Sequence, residues 1–296
     1  MGSVVKRLTR NQLIRPPAFV ENGTQYEVYM GSVAYGVSDD MSDVDIYGFC
    51  IPPKDVIFPH LRGVIPGFGR QIQNFEQYQK HHILDHSSDR EYDLTIYNIV
   101  KYFQLCMENN PNMIDSLFVP DRCVAYMTPV GSMVRENKYI FLHKGSFHKY
   151  KGYAHSQLYK CRTKKPEGKR KEIIKKYGYD VKFAYHIKRL LLQAEQIMAD
   201  GNLDLQKNRE ELKAIRRGEV PLEEIEKWKA EKELQLEKLY NESNLPYKPN
   251  EGDIKQLLID CLEEHFGSLS VADYSEPDLV NKITNEIQGV INKYKG

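Results

Sequence analysis

Two aspartates, Asp43 and Asp45, flank Val44 in the stretch Gly31-Ser-Val-Ala-Tyr-Gly-Val-Ser-Asp-Asp-Met-Ser-Asp43-Val-Asp45-Ile-Tyr-Gly48. On a strand, side chains alternate with period two, so both carboxylates project to one face and Val44 turns inward. Two carboxylates that close repel each other unless a cation lies between them. Hard oxygen ligands of this kind suit Mg²⁺ or Mn²⁺, which keep several waters and complete their shells from phosphates. Upstream, Gly31-Ser32 leaves the strand-like run Glu27-Val-Tyr-Met30 at a tight turn. Glycine lets the backbone approach a phosphate, and the serine hydroxyl and the following amides donate to it. A carboxylate pair behind a Gly-Ser turn is the equipment of metal-assisted phosphoryl or nucleotidyl transfer.

A second set of candidates is cationic. Lys182, His186 and Arg189 are spaced i, i+4, i+7 and share one stripe of a helix. Facing the carboxylates, that stripe would bind a triphosphate; a polar stripe bordering solvent has the same spacing. His81, His82 and His86, with Asp85 and Asp89, read as a polar loop without metal, because adjacent histidines diverge. Ser116 and Ser146 lack the Gly-x-Ser-x-Gly context of a hydrolase nucleophile.

The elements that must hold these residues are an α/β or α+β module followed by helices. Glu27–Met30 and Val44–Ile51 read as strands, with Gly31 to Asp43 a loop containing at most one helical turn. Leu94 to Asn109 carries Ile96, Ile99, Val100, Phe103 and Met107 at helical spacing, and Asn110-Pro111 stops it. Tyr179 to Ala199 is a broad-faced helix with a stop at Asp200-Gly201. Residues 207–240 read as a charged helical hairpin broken near Gly218 and Pro221, and residues 241–252 as a linker. Helices are expected around Asp253–His265 and Pro277–Tyr294.

The set Gly-Ser-x-Ala-Tyr-Gly, then Ser-Asp-x-Asp, resembles the DNA polymerase β superfamily of nucleotidyltransferases, and within it the RNA-repair-associated, RlaP-like group of bacteria and phages. The resemblance spans roughly residues 25–225. It includes Asp93 in Glu91-Tyr-Asp-Leu-Thr, the Asn110-Pro-Asn helix start, Gly152–Gln157 and Tyr179–Leu191. It implies an α+β palm of mixed sheet and flanking helices over residues 1–130, followed by a helical domain over residues 131–296. It also implies Asp43, Asp45 and Asp93 as catalytic metal ligands for Mg²⁺ or Mn²⁺. Gly31, Ser32, Tyr35, Ser42, Lys182, His186 and Arg189 are then the expected nucleotide contacts, and Asp115 a capping or packing residue. The implied reaction moves AMP or another NMP from an NTP to an acceptor hydroxyl, with pyrophosphate leaving. RNA is the expected acceptor, a tRNA 3′ end or a broken strand. A protein-AMPylating enzyme and a catalytically silent nucleotide- or RNA-binding module are the other readings.

Composition narrows the classes. The 296 residues hold 41% apolar and 28% charged side chains, enough for a folded core. No run approaches the roughly 20 apolar residues of a membrane span, and the N-terminus lacks a secretory apolar region, so a soluble, cytoplasmic protein is expected. Five dispersed cysteines, never in a CxxC pair, argue against a disulfide framework or a zinc knuckle. The formal charge of +1 hides an asymmetry: residues 1–137 carry −4, residues 138–190 carry +13 and residues 191–296 carry −8. The basic segment is a candidate surface for a polyanion. In it Tyr150, Tyr153, Tyr159 and Tyr177 interleave with Lys144, Lys149, Lys151, Lys160 and Arg162, a pattern suited to base stacking and phosphate contact.

Overall fold

A computed structural model gives the fold, described at residues 2–38, 43–87, 90–163 and 168–267 and at positions 269, 284, 287, 288 and 293. Two short helices, α1 (Val4–Arg10) and α2 (Ala18–Gly23), open the chain. Strand β1 (Thr24–Tyr29) runs into a single turn, α3 (Gly31–Ala34), and strand β2 (Val44–Cys50) follows. After α4 (Lys54–Ile57) come β3 (Gln77–Asp85), β4 (Arg90–Asn98), α5 (Ile99–Met107), α6 (Pro111–Leu117) and the short β5 (Val124–Met127). Helices then succeed one another: α7 (Pro129–Glu136), α8 (Gly145–Thr163), α9 (Lys169–Tyr177) and α10 (Val181–Asp200). Three more follow: α11 (Arg209–Arg216), α12 (Leu222–Glu242) and α13 (Glu251–Phe266). The helix expected around Pro277–Tyr294 lies largely outside the described residues. Among them, no helix is long and apolar enough to cross a membrane.

The five strands form one mixed sheet in the order β3-β4-β2-β1-β5, with β2 and β4 parallel and the other neighbours antiparallel. This is the α+β palm with helices that the resemblance implied. Two expectations change. Leu94 to Asn98 is strand rather than helix: Tyr92, Leu94 and Ile96 alternate into the core and pair with β2, and the Asn98 side chain caps α5 by accepting from the Val100 N–H at 3.0 Å. His81 and His82 lie on the edge strand β3 rather than in a loop, at a register shift between Lys80 and Ile83. There His82 takes a left-handed φ of 54°.

Alternation sorts the sheet into two covered faces. Val44, Ile46, Leu94 and Ile96 point toward α1 and α2, with Val4, Val5 and Leu8. That layer is pinned by Glu27, fully buried on β1, whose carboxylate accepts from the Ser3 hydroxyl at 2.7 Å and from the Val5 N–H at 3.1 Å. The opposite face carries Tyr26, Val28 and Phe49 against α5, α6 and the helical part. One hydrophobic cluster runs from Tyr26 to Leu262 on α13, across the division expected at residue 130. The long helix that reaches the site, α10, begins with Asp180 as N-cap and ends at Gly201 in the left-handed conformation.

Candidate active site

Parallel pairing of β2 and β4 sets Asp45 directly opposite Asp93. Adjacent strands lie about 4.8 Å apart, so the two carboxylates leave the same face as neighbours. Asp43, exposed, stands just ahead of β2. Gly31 closes the other side at φ 61°: a Cβ there would sit 1.9 Å from Asp45 Oδ2, so only glycine lets the turn pack on that carboxylate. The Met30 N–H donates to the Asp45 carbonyl at 2.7 Å and locks the turn to the strand.

The electrostatics of this corner are unbalanced. Burial first, then Asp93 and Asp43, push the Asp45 carboxyl up to about 6, with Lys182 and His81 working against them. Asp93 is held from the edge strand, its Oδ1 accepting from the His82 N–H at 2.8 Å and its Oδ2 standing 3.2 Å from His81 Nδ1. His82 in turn contacts Glu91 through Nδ1. The bulge therefore aims Asp93, a role the sequence spacing of the histidines did not suggest. Among the described residues no three His, Cys, Asp or Glu side chains already converge as a metal cage. The donor set nevertheless fits a hard divalent cation. It is all carboxylate and self-repelling, and Mg²⁺ fills its shell with water and substrate phosphate rather than with a protein cage.

The cationic stripe divides along its length. Lys182, exposed on the first turn of α10, is the cation nearest enough to favour ionised Asp45, and among the described residues it has no ion-pair partner. His186, half-buried, is driven down to about 3 by burial and by the surrounding Lys182, Arg170, Arg216 and Lys160, so it is a neutral imidazole inside a cationic ring. Arg189 is instead buried in an ion pair. Its side chain is 7% exposed and pairs at 3.0 Å with Asp115, which is wholly buried. Two turns of α10 separate it from Lys182, and the axis carries it into the core. Gln193 Nε2 donates to both Asp115 oxygens, at 3.2 and 3.1 Å.

Tyr35 joins that buried network. Its hydroxyl donates to Asp115 Oδ2 at 2.7 Å, and the Arg189 guanidinium stacks 4.2 Å from its ring centre. Tyr35 is thus a buried tether for the Gly31-Ser32 turn instead of a surface contact for nucleotide. Further tethers come from far along the chain. Gln206 Nε2 donates to the Ala34 carbonyl at 2.9 Å, and Arg216 Nη1 donates to the Val37 carbonyl at 2.8 Å. No local signal marks either residue. Ser32 is half-buried in the turn, and Ser42 lies outside the described residues.

Part of the basic segment is paired within the protein. Lys149 pairs with Glu108, Lys151 with Glu237, and Arg162 with Glu226, while His155 stands 3.1 Å from Glu233. Lys144 is buried over the Tyr247 ring at 4.4 Å, and Tyr150 is fully buried, so neither is placed to meet a nucleic acid. Tyr159, at 69% exposed, and Tyr153, at 37%, remain at the surface. Acidic side chains of α12 thus meet two of the segment's cations, Lys151 and Arg162, and Glu108 at the C-terminal end of α5 meets a third.

A mixed sheet with paired strand carboxylates, fronted by a Gly-Ser turn and backed by a helical part, is the architecture of a nucleotidyltransferase palm of the DNA polymerase β superfamily. Residues 20–260 match RlaP, an RNA repair pathway DNA polymerase beta family. The chain belongs to that family. No curated protein matches it.

Proposed function

We propose that the protein transfers a nucleoside monophosphate from an NTP to a terminal hydroxyl of RNA, releasing pyrophosphate. The observation that carries this reading is the register pair Asp45–Asp93 beside the Gly31-Ser32 turn, with Lys182 facing it. The Gly31-Ser32 backbone and Lys182 would hold the outer phosphates, and Arg216 and Lys160 would extend the positive field around His186. Asp43, Asp45 and Asp93 would hold Mg²⁺ or Mn²⁺, which supplies charge neutralisation at the reacting phosphate and lowers the acceptor pKa. The acceptor oxygen forms a bond to the α-phosphorus as the bond to the bridging oxygen of pyrophosphate breaks. Asp93, oriented by the His81–His82 bulge, would take the acceptor proton. RNA is favoured as acceptor by the family's RNA repair pathway description.

Incubation of the protein with each α-labelled NTP, Mg²⁺, cellular RNA and cellular protein tests this. Label on RNA, lost in an Asp43→Ala/Asp45→Ala double variant that keeps the parent melting temperature, is the expected result. Label on a polypeptide would make the acceptor a protein hydroxyl. No pyrophosphate from any NTP, with either acceptor present, would leave a silent binding module.

A further inference from the structure

The sheet face that carries Asp45 and Asp93 continues beyond them in ordered rows. Pairing places Tyr47, Thr95 and Gln79 side by side in the next row, and Phe49, Tyr97 and Gln77 in the one after. Rows are two residues apart, so Tyr97 lies about 13 Å along the strand from Asp93. Phe49 is fully buried, but Tyr47 and Tyr97 are half-buried, and Gln77 and Gln79 are exposed. The Tyr47 and Tyr97 rings meet edge to face at 6.5 Å.

Tyr153 reaches the same place from α8. Tyr153 is close enough to the Tyr47 and Tyr97 hydroxyls to act on both electrostatically. Asn110 orients Tyr153. Its Oδ1 caps α6 by accepting from the Asn112 N–H at 3.0 Å, while its Nδ2 donates to the Tyr153 hydroxyl at 3.1 Å. The Asn-Pro-Asn turn thereby does more than start a helix. Among the described residues, neither the Tyr47 nor the Tyr97 hydroxyl has a hydrogen-bond partner. On β3 the rows are bordered by Gln77 and Gln79, and no carboxylate stands between Gln77 and His82.

We propose that Tyr47, Tyr97 and Tyr153 form an acceptor platform on which the terminal unpaired nucleosides of an RNA strand rest, presenting the terminal hydroxyl beside Asp93. The inference rests on the transfer to RNA proposed above. The Gly31-Ser32 turn and Lys182 occupy the Asp45 side, which leaves the rows beyond Asp93 to the other substrate. Aromatic faces stack any base, and free tyrosine hydroxyls meet base edges or a 2′-hydroxyl. A polypeptide acceptor offers no succession of flat π faces to match three rings. An edge without carboxylates accommodates a phosphate backbone.

The test uses the full chain and a short, fluorescein-labelled single-stranded RNA at low salt. Tyr153→Ala is expected to weaken RNA binding about tenfold, the scale of one lost base–aromatic stack, with unchanged Mg²⁺–NTP binding and melting temperature. Tyr153→Phe should bind RNA nearly as the parent does, because the ring remains. A 4-thiouridine at the RNA 3′ end should crosslink to peptides containing Tyr47, Tyr97 or Tyr153, a readout independent of any variant's folding. If Tyr153→Ala binds and extends RNA like the parent, or the crosslinks map elsewhere, the platform is wrong while transfer to RNA stands. If the parent binds no RNA and α-labelled NTP marks a polypeptide, the RNA reading fails and the platform with it.

Discussion

Replacing Arg189 with alanine should unfold the protein at a lower temperature rather than merely empty a nucleotide site. The guanidinium pairs at 3.0 Å with a wholly buried carboxylate, stacks on Tyr35, and stands next to the Gln193–Asp115 bonds. Removing it strands Asp115, whose carboxyl burial already pushes up. Breaking one partner of a buried pair costs about 3–5 kcal/mol. At roughly 2–4 °C per kcal/mol for chains of this order, the melting temperature should fall by roughly 6–20 °C. Asp115→Ala should cost a similar amount, since it strands the arginine instead. The double replacement Asp115→Asn/Arg189→Met should recover part of the loss, because no uncompensated charge remains. Thermal unfolding followed by circular dichroism on the four proteins measures this. An Arg189→Ala protein that melts with the parent yet loses NTP affinity would refute the buried-pair argument and return Arg189 to the triphosphate.

Two other perturbations discriminate the site from its scaffold. Gly31→Ala forces a Cβ onto Asp45 Oδ2 and a side chain into a left-handed backbone, about 1–2 kcal/mol of strain before any displacement of the carboxylate; transferase assays should show activity lost with only a modest drop in melting temperature. His186, held well below its ordinary value, binds fewer protons in the folded than in the unfolded chain between about pH 3 and 6.5. Its contribution to stability therefore rises with pH across that window. Denaturant titrations of His186→Asn should show a flatter pH dependence there than the parent, and an unchanged slope would mean the imidazole is solvated.

Local pattern was enough to group the candidate carboxylates and to outline most of the elements that hold them. Period-two alternation around Val44 put Asp43 and Asp45 on one side, and the glycine of the Gly-Ser pair announced a turn that no side chain could occupy. The long helix ending at Asp200-Gly201 was legible from its caps and its apolar face. Such signals are short-range: a hydrophobic period, a cap or a turn residue acts within a few residues of itself. Where an apolar run satisfied two periods, pattern failed. Leu94 to Asn98 has helical and strand spacing at once, and only pairing with Val44–Cys50, some fifty residues earlier, made it a strand. That pairing is also what brings Asp93 to Asp45.

Partner identity was the other thing beyond local reach. Helical spacing correctly grouped Lys182, His186 and Arg189 on a stripe, but spacing says nothing about what the stripe faces. The tilt of α10 through the core left Lys182 in solvent near the carboxylates and delivered Arg189 to Asp115, 74 residues away in the chain. The Gly31-Ser32 turn likewise owes its tethers to Gln206 and Arg216, 172 and 179 residues from the carbonyls they hold. Lys151 and Arg162 of the basic segment met Glu237 and Glu226 of α12 for the same reason. Residue types and their spacing determined which groups could do chemistry and which face of an element they shared. The packing of distant elements decided which were buried, which were paired and which stayed free to meet a substrate, because burial and ion pairing are set by neighbours in space, not in sequence.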